Sequence, residues 1–193
     1  MLGKLVLIIG PSGVGKSVIL KSLRKQYPDL HFPRSATTRE RREGEGDDLY
    51  DFVSDEEFDA LINEGKVLEW ATVHEGARYG TLIEEITPFI DHGKTVVREV
   101  DVQGFRSIRK HPLFSGTTPR YIMESVFILP ENREQLVDRI KGRAPISEEE
   151  LSRRVKSMDD ELSEAESCDY QIVNRDGDLE GTVEKVAKAL PLQ

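Results

Sequence analysis

The stretch Leu5-Val6-Leu7-Ile8-Ile9-Gly10-Pro11-Ser12-Gly13-Val14-Gly15-Lys16-Ser17 decides how the rest of the chain is interpreted. Its first five residues are aliphatic, which is typical of a strand buried on both faces of a parallel sheet. A glycine-rich turn follows, and Ile19, Leu20 and Leu23 then recur at helical spacing. A strand, a glycine turn and a helix in this order predict an α/β fold with a parallel sheet.

The turn itself fits the pattern G-x-x-x-x-G-K-[ST] in the context that this pattern requires. Glycines allow the backbone to curve so that successive N–H groups point at phosphate oxygens, and the helix N-terminus adds a favourable dipole. The lysine of such a loop reaches the β- and γ-phosphates, and the hydroxyl binds Mg²⁺. An incidental glycine turn would not explain the flanking strand and helix. The sequence therefore predicts an ATP-type nucleotide site at Gly10, Pro11, Ser12, Gly13, Val14, Gly15, Lys16 and Ser17.

The composition excludes several other classes of protein. The 193 residues include one cysteine, Cys168, so a disulfide framework is excluded and a reducing compartment is expected. The net charge of −9 provides no basic field for nucleic acid. The longest apolar run is far too short to cross a membrane, and no secretory signal pattern is seen. We therefore expect a cytoplasmic protein without nucleic-acid or membrane partners.

The remaining pattern predicts a core that is interrupted by an insertion. Further strands are expected at 95–102, 125–129 and 169–173, and a capping box of Ser54 and Glu57 predicts the start of a helix. Between residues 34 and 80, short alternating segments and aromatic residues replace the long buried strands. We therefore expect a core formed by 1–33 and 81–193, a β-rich insertion at 34–80, and a lid at about 139–154.

Three arginines within four residues, Arg39, Arg41 and Arg42, form a local positive cluster in this acidic chain. Arginine forks suit a phosphate monoester, and a tyrosine such as Tyr50 can add a hydroxyl donor. Taken alone, the cluster is better interpreted as a solvated charge run, because glutamates interleave with the arginines. The phosphate loop alone does not choose among kinases, GTPases and ATPases either.

An ordered series of motifs resembles that of the guanylate kinases. The series comprises Ser-x-Thr-Thr-Arg-x-x-Arg-x-Gly-Glu from Ser35, Tyr50-x-Phe-Val-Ser, Leu68-Glu69-Trp70-Ala71, Tyr79-Gly80-Thr81 and Asp101-Val102-Gln103-Gly104. With the phosphate loop, the resemblance runs from about Leu5 to Asn174. It implies a P-loop three-layer fold with a central parallel sheet, a GMP-binding insertion and a short lid, and transfer of the γ-phosphoryl group of ATP to GMP, with dGMP as a further candidate acceptor.

The resemblance also implies roles for individual residues. Those that would hold the GMP phosphate are Arg39, Arg42, Tyr50 and Tyr79, and those that would recognise guanine are Ser35, Glu69, Thr81 and Asp101. The residues that would neutralise charge during transfer are Lys16, Arg39, Arg139, Arg143 and Arg154. Ser17 and Asp101 would hold Mg²⁺, and Asn174 would lie at the adenine side of ATP.

Two alternatives and one irregularity remain at this stage. A guanylate-kinase-like domain can serve as a non-catalytic protein-binding module, although such modules typically lose loop residues that are intact here. A ribose-bisphosphate kinase of related fold is the other alternative, but it would need neither Glu69 nor the arginine clamp. Arg98 occupies a predicted strand position where an aliphatic residue is expected.

Overall fold

The computed structural model describes residues 3–72, 76–143 and 147–190, without the side chains of Arg143 and Glu150. The strands in these ranges are β1 (Lys4–Ile9), β2 (Ser35–Thr37), β3 (Tyr50–Phe52), β4 (Val67–Thr72), β5 (Arg78–Leu82), β6 (Thr95–Glu99), β7 (Ile122–Pro130) and β8 (Tyr170–Asn174). The helices are α1 (Lys16–Gln26), α2 (Asp55–Asn63), α3 (Thr87–Asp91), α4 (Val102–Lys110), α5 (Arg133–Arg143), α6 (Glu148–Ser163) and α7 (Leu179–Ala189). None of these helices is long and apolar enough to cross a membrane.

The strands form two four-stranded sheets, which confirms the predicted α/β class. A parallel sheet has the order β6-β1-β7-β8, and a smaller mixed sheet has the order β3-β2-β5-β4. In the parallel sheet, β7 and β8 pair from Val126 opposite Tyr170 to Pro130 opposite Asn174. The predicted strand 95–102 ends earlier, at Glu99, because Val102 already begins α4.

The chain divides into two compact units. The small-sheet unit comprises residues 1–5, 29–98 and 103–123, and the phosphate-loop unit comprises residues 6–28, 99–102 and 124–193. The phosphate-loop unit has a core of fully buried aliphatic and aromatic side chains, which include Leu7, Ile8, Ile9, Ile19, Leu23, Phe127 and Ile128. The predicted boundaries of the insertion and the lid stay predictions.

The small sheet packs one face on helix α2. Ala36, Phe58 and Leu82 are its buried centre, and Val53, Leu61, Ile62 and Val67 pack around them. The predicted capping box is confirmed, since the Glu57 N–H donates to Ser54 Oγ at 3.1 Å and the Ser54 N–H donates to Glu57 Oε2 at 2.8 Å. The cap fixes where α2 begins and therefore how Phe58 meets the sheet.

Replacing Ser54 by alanine is expected to lower the free energy of unfolding by about 1 kcal/mol, because an N–H at the start of α2 loses its acceptor. The measurement is chemical denaturation of the full chain. Ser107→Ala is the control, because Ser107 is an exposed serine whose hydroxyl donates within α4 to the Gln103 carbonyl rather than capping a helix. Equal losses in the two variants would contradict the role of the cap.

Candidate functional site

The loop between β1 and α1 has the backbone curvature that the sequence predicts. Gly13 and Gly15 have φ values of 83° and 103°, in the left-handed region that favours glycine. A Cβ atom at Gly15 would lie 2.7 Å from Asn174 Nδ2, so a larger residue would collide there. Conformation and close packing therefore both require glycine at this position.

Lys16 is the first residue of α1 and folds back over the loop. Its Nζ donates to the Gly10 carbonyl at 2.7 Å and to the Pro11 carbonyl at 3.2 Å. A cavity of about 500 Å³ opens beside it, and its lining includes Ser12, Gly13, Gly15, Lys16, Ser17, Glu99, Arg139 and Asn174. Most residues predicted for the nucleotide site therefore share one cavity in the phosphate-loop unit.

Two predicted residues from distant parts of the chain contact the same carbonyl of the loop. Val14 O accepts from Arg139 Nη1 at 3.0 Å and from Asn174 Nδ2 at 2.7 Å. Arg139 also pairs with Asp176, and this bond lowers the pKa of the Asp176 carboxyl. α5 and β8 thus bring Arg139 and Asn174 to the loop, as the sequence predicts.

Oxygen donors suited to a magnesium ion lie at the start of α1. Ser17 Oγ donates to Glu99 Oε1 at 3.3 Å. Asp101, two residues after Glu99, is exposed and belongs to the same phosphate-loop unit. Hydroxyl and carboxylate oxygens are ligands that Mg²⁺ prefers, together with substrate phosphates. Glu99 was not predicted from the sequence, although an acidic residue at the end of a strand that precedes Asp101 was the available signal.

Glu161, on α6, is a second residue that the sequence analysis missed. Its Oε2 accepts the Ser12 backbone N–H at 3.3 Å, so a carboxylate lies against the phosphate loop. Burial raises the pKa of the Glu161 carboxyl, against the opposing effects of the Ser12 N–H and Lys16. The available signal was helical spacing, because Glu161 follows the buried Met158 by three residues and therefore shares its face.

Glu161→Gln is expected to raise the melting temperature at pH 8 more than at pH 5. A raised pKa means that the ionised carboxylate is less favourable in the folded chain than in the unfolded one. This cost therefore grows as pH rises through the folded-state pKa and disappears in acid. The check is thermal unfolding across that pH range, with Asp160→Asn, an exposed neighbour on α6, as control. A gain from Glu161→Gln that does not depend on pH would contradict the assignment.

Two further arginines, Arg154 and Arg143, were predicted for the nucleotide site, and the structure describes the side chain of Arg154 alone of these two. Arg154 is half-buried on α6, seven residues before Glu161, so both side chains project from one face of the helix. Since the Glu161 carboxylate contacts the Ser12 N–H of the phosphate loop, Arg154 lies on the face of α6 that makes this contact. The side chain of Arg143 lies outside the described part of the chain.

In the small-sheet unit, four predicted residues form one row across all four strands. Tyr50 lies opposite Ser35, Ser35 lies opposite Thr81, and Thr81 lies opposite Glu69. Residues that are directly paired across strands project from the same face of a sheet. The face is the one opposite Ala36 and Leu82, which belong to the buried centre. Four motifs that are spaced apart in the sequence thus become adjacent.

Glu69 is held at one end of this row. Its Oε1 accepts the Thr81 hydroxyl at 2.5 Å, and its side chain is only 10% exposed. A β-bulge between Val67 and Glu69 shifts the register of β4 immediately before this residue. A largely buried carboxylate that shares a face with Ser35 and Thr81 is suited to accept hydrogen bonds from a ligand.

Arg39 lies near the other end of the row, against two tyrosines. Its Nε donates to Tyr79 Oη at 3.0 Å, and its guanidinium carbon is 5.3 Å from the centre of the Tyr50 ring. Nη2 pairs with Glu45 Oε1 at 2.7 Å, which raises the pKa of Arg39 and lowers that of Glu45. Arg39 is therefore a fixed cation, and Glu45 is a partner that the sequence analysis did not identify.

Two residues predicted for the same site are placed differently. Arg42 is exposed, and its backbone N–H donates to Glu45 Oε2 at 3.1 Å. Asp101 belongs to the phosphate-loop unit, whereas Ser35, Glu69 and Thr81 belong to the small-sheet unit. The structure thus places seven of the eight residues predicted for GMP in the small sheet and its flanking loop, and Asp101 in the other unit.

Comparison with known proteins gives one consistent result. The guanylate kinase of Thermosynechococcus vestitus is 43% identical over 176 residues, which cover 90% of this chain and 87% of that protein. The guanylate kinase of Tropheryma whipplei (strain Twist) is 38% identical over 180 residues, which cover 93% of this chain and 89% of that protein. The crystal structure of guanylate kinase from Anaplasma phagocytophilum has a TM-score of 0.70 at 28% identity, over 98% of this chain and 85% of that chain.

The match to a family model extends this similarity to the whole chain. The model described as guanylate kinase matches residues 2–193, which include the phosphate loop and the row of polar residues on the small sheet. The relatives are similar over most of their own length, so the agreement is not confined to the phosphate loop. The chain belongs to the guanylate kinase family.

Proposed function

We propose that this chain transfers the γ-phosphoryl group of Mg²⁺-bound ATP to GMP and releases ADP and GDP. The observation that carries the proposal is the polar row of Tyr50, Ser35, Thr81 and Glu69, which occurs in a chain that also has an intact phosphate loop. A phosphate loop alone would suit any nucleoside triphosphatase. A second polar surface with an arginine and tyrosines at one end and a carboxylate at the other suits a purine monophosphate.

The phosphate of GMP would bind at the Arg39 end of the row. Arg39 and the Tyr50 and Tyr79 hydroxyls together offer a cation and two O–H donors. The phosphate would have to replace Glu45 as the partner of Arg39, which is one anion in exchange for another. Arg42 is exposed and lies three residues after Arg39, so it would supply a second cation from the same loop.

The guanine base would bind at the Glu69 end. Guanine presents N1–H and N2–H₂ donors, which a carboxylate accepts, and an O6 acceptor, to which a hydroxyl can donate. Thr81 donates its own proton to Glu69, so the Ser35 hydroxyl is the better donor for O6. Adenine has an acceptor at N1 and no 2-amino group, so the carboxylate would be left without donors. We propose that the Asp101 carboxylate is a further acceptor for the base.

Mg²⁺ fits the oxygen donors near the phosphate loop. Ser17 and Asp101 would hold the ion, and Glu99 accepts the Ser17 hydroxyl and so fixes its direction. Among the described residues, no group of three or more His, Cys, Asp or Glu side chains could hold a metal by itself. This agrees with an ion held largely by ATP phosphates and water. When bound, Mg²⁺ supplies charge neutralisation at the β- and γ-phosphates.

The protein's own contribution would be positioning and positive charge. Lys16, Arg39, Arg139, Arg143 and Arg154 would share the negative charge of the transferring group. No general base is required, because the acceptor atom is an already ionised phosphate oxygen. In-line transfer between phosphates asks little covalent chemistry of the protein. We further propose that 34–80 acts as the GMP-binding insertion and about 139–154 as the lid.

The test is direct observation of GDP formation by phosphorus NMR with ATP, Mg²⁺ and GMP. We expect ADP and GDP to appear in equal amounts, and excess EDTA to stop both because ATP loses its counter-ion. Adding back Mg²⁺ is the control for damage by the chelator. Formation of ADP with free phosphate instead of GDP, or unchanged turnover in EDTA, would contradict the proposal.

A further inference from the structure

Strand β6 contains a charged residue that the nucleotide chemistry above does not use. Arg98 lies beside Val96 and Val97, in a strand where an aliphatic side chain is expected, and its side chain is only 15% exposed. Burying a guanidinium is costly unless a carboxylate compensates the charge. The carboxylates that this guanidinium contacts therefore indicate why the chain has an arginine here.

One carboxylate that Arg98 contacts is the one proposed to recognise guanine. Arg98 Nη2 lies 3.9 Å from Glu69 Oε1, the same oxygen that accepts the Thr81 hydroxyl at 2.5 Å. Arg98 and Glu69 are both largely buried and belong to the small-sheet unit. At 3.9 Å the guanidinium attracts the carboxylate by charge without the short bond that would compete with a ligand donor.

We propose that Arg98 is a positioning residue for base selection: its charge holds the Glu69 carboxylate oriented for the N–H donors of guanine. The inference rests on the proposed function of Glu69. A carboxylate has about four lone-pair sites, so contacts at Oε1 are compatible with two further donors. Without the cation, the Glu69 carboxylate would lose one of the contacts that fix its direction.

The experiment compares GMP with IMP as acceptors. IMP lacks the 2-amino group and so offers Glu69 one donor fewer. Arg98→Leu is expected to raise KM for GMP about tenfold, the order of one hydrogen bond to a charged group, and to leave kcat and KM for ATP within about twofold. The preference for GMP over IMP is expected to fall by a similar factor. Arg98→Lys, which keeps the charge, should restore most of the preference.

The matched control is Arg78→Leu. Arg78 is equally buried, at 14% exposure, but it pairs with Asp55 and Asp59 and packs over the Phe58 ring, on the other face of the sheet. Loss of an ion pair alone would lower the melting temperature in both variants. Only Arg98→Leu should change the ratio of GMP to IMP.

A double variant separates this inference from the proposed function. If Arg98 acts through Glu69, Arg98→Leu should change the GMP to IMP ratio little in a Glu69→Gln background. An unchanged ratio in Arg98→Leu, with normal GMP preference in the parent chain, would overturn the inference alone. No GMP preference in the parent chain would overturn the proposed function. Should Arg98→Leu not fold, Arg98→Gln gives the decision, because it also removes the charge: an unchanged ratio of GMP to IMP in that variant contradicts the inference.

Discussion

Replacing Lys16 by alanine is expected to lower kcat for GDP formation roughly a thousandfold, the order found when one preorganised donor to a developing charge is removed. Lys16 Nζ already lies over the loop, held by the Gly10 and Pro11 carbonyls at 2.7 and 3.2 Å. An ammonium at that place adds charge where the transferring phosphoryl group needs it, and alanine adds none.

The same variant should bind GMP with nearly unchanged affinity. The residues proposed for GMP phosphate, Arg39, Tyr50 and Tyr79, belong to the small-sheet unit, whereas Lys16 belongs to the phosphate-loop unit. Calorimetric titration with GMP gives the affinity, and the coupled assay gives kcat. The control is Lys21→Ala, since Lys21 is exposed on the same helix. Near-normal turnover of Lys16→Ala would contradict the role of the loop.

Base selection is the second large expected effect. The parent chain should prefer GMP over AMP by about 10⁴ in kcat/KM, because a site built to accept hydrogen bonds rejects an analogue that leaves its polar groups unpaired. Glu69→Gln should reduce this preference tenfold to a hundredfold, the equivalent of about 1.5–3 kcal/mol for a bond to a charged group. An amide can also rotate and donate to adenine N1, which a carboxylate cannot do.

The measurement for Glu69 is kcat/KM with each of the two monophosphates. Glu64→Gln is the matched control, because Glu64 is an exposed carboxylate just before β4 that pairs with Lys66. It removes the same charge from the same unit and should leave the preference intact. Equal loss of preference in both variants would mean that net charge, and not contact with the base, selects guanine.

Local patterns in the sequence predicted local structure well. The aliphatic run Leu5 to Ile9 is contained in β1, the glycine loop has the expected backbone, and the Ser54 capping box is present. Pro88 lies in the first turn of the short helix α3, where a proline is tolerated. Each of these features depends on neighbours within about four residues, so a short stretch of sequence contains the information.

Contacts between distant residues could not be predicted in the same way. The Glu161 carboxylate and the Ser12 N–H are 149 positions apart, and nothing near Ser12 indicates an acidic partner. The pairing of Arg98 with Glu69 likewise depends on the register of strands in space, so the sequence showed only an unexpected charge at 98. Motif order indicated which residues would form a GMP site, and this stays a prediction; the row in which four of them lie required the strand pairing β3-β2-β5-β4.

The retained loop residues also bear on the alternative of a protein-binding module. Lys16 and Ser17 line a cavity of about 500 Å³. Arg139 and Asn174 both donate hydrogen bonds to a carbonyl of the same loop. A module that had lost catalysis would have no need to keep this arrangement. The retained contacts of the loop therefore favour a catalytic role over a protein-binding role.

The most direct measurement is coupled ADP release from Mg²⁺-bound ATP with GMP, with AMP and with no acceptor. The account predicts rapid release with GMP, accompanied by one GDP per ADP, and release slower by about three orders of magnitude or more in the other two reactions. Release at the same rate without an acceptor would identify a simple ATPase. No release under any of the three conditions, from a folded chain that binds ATP, would identify a binding module and contradict the account.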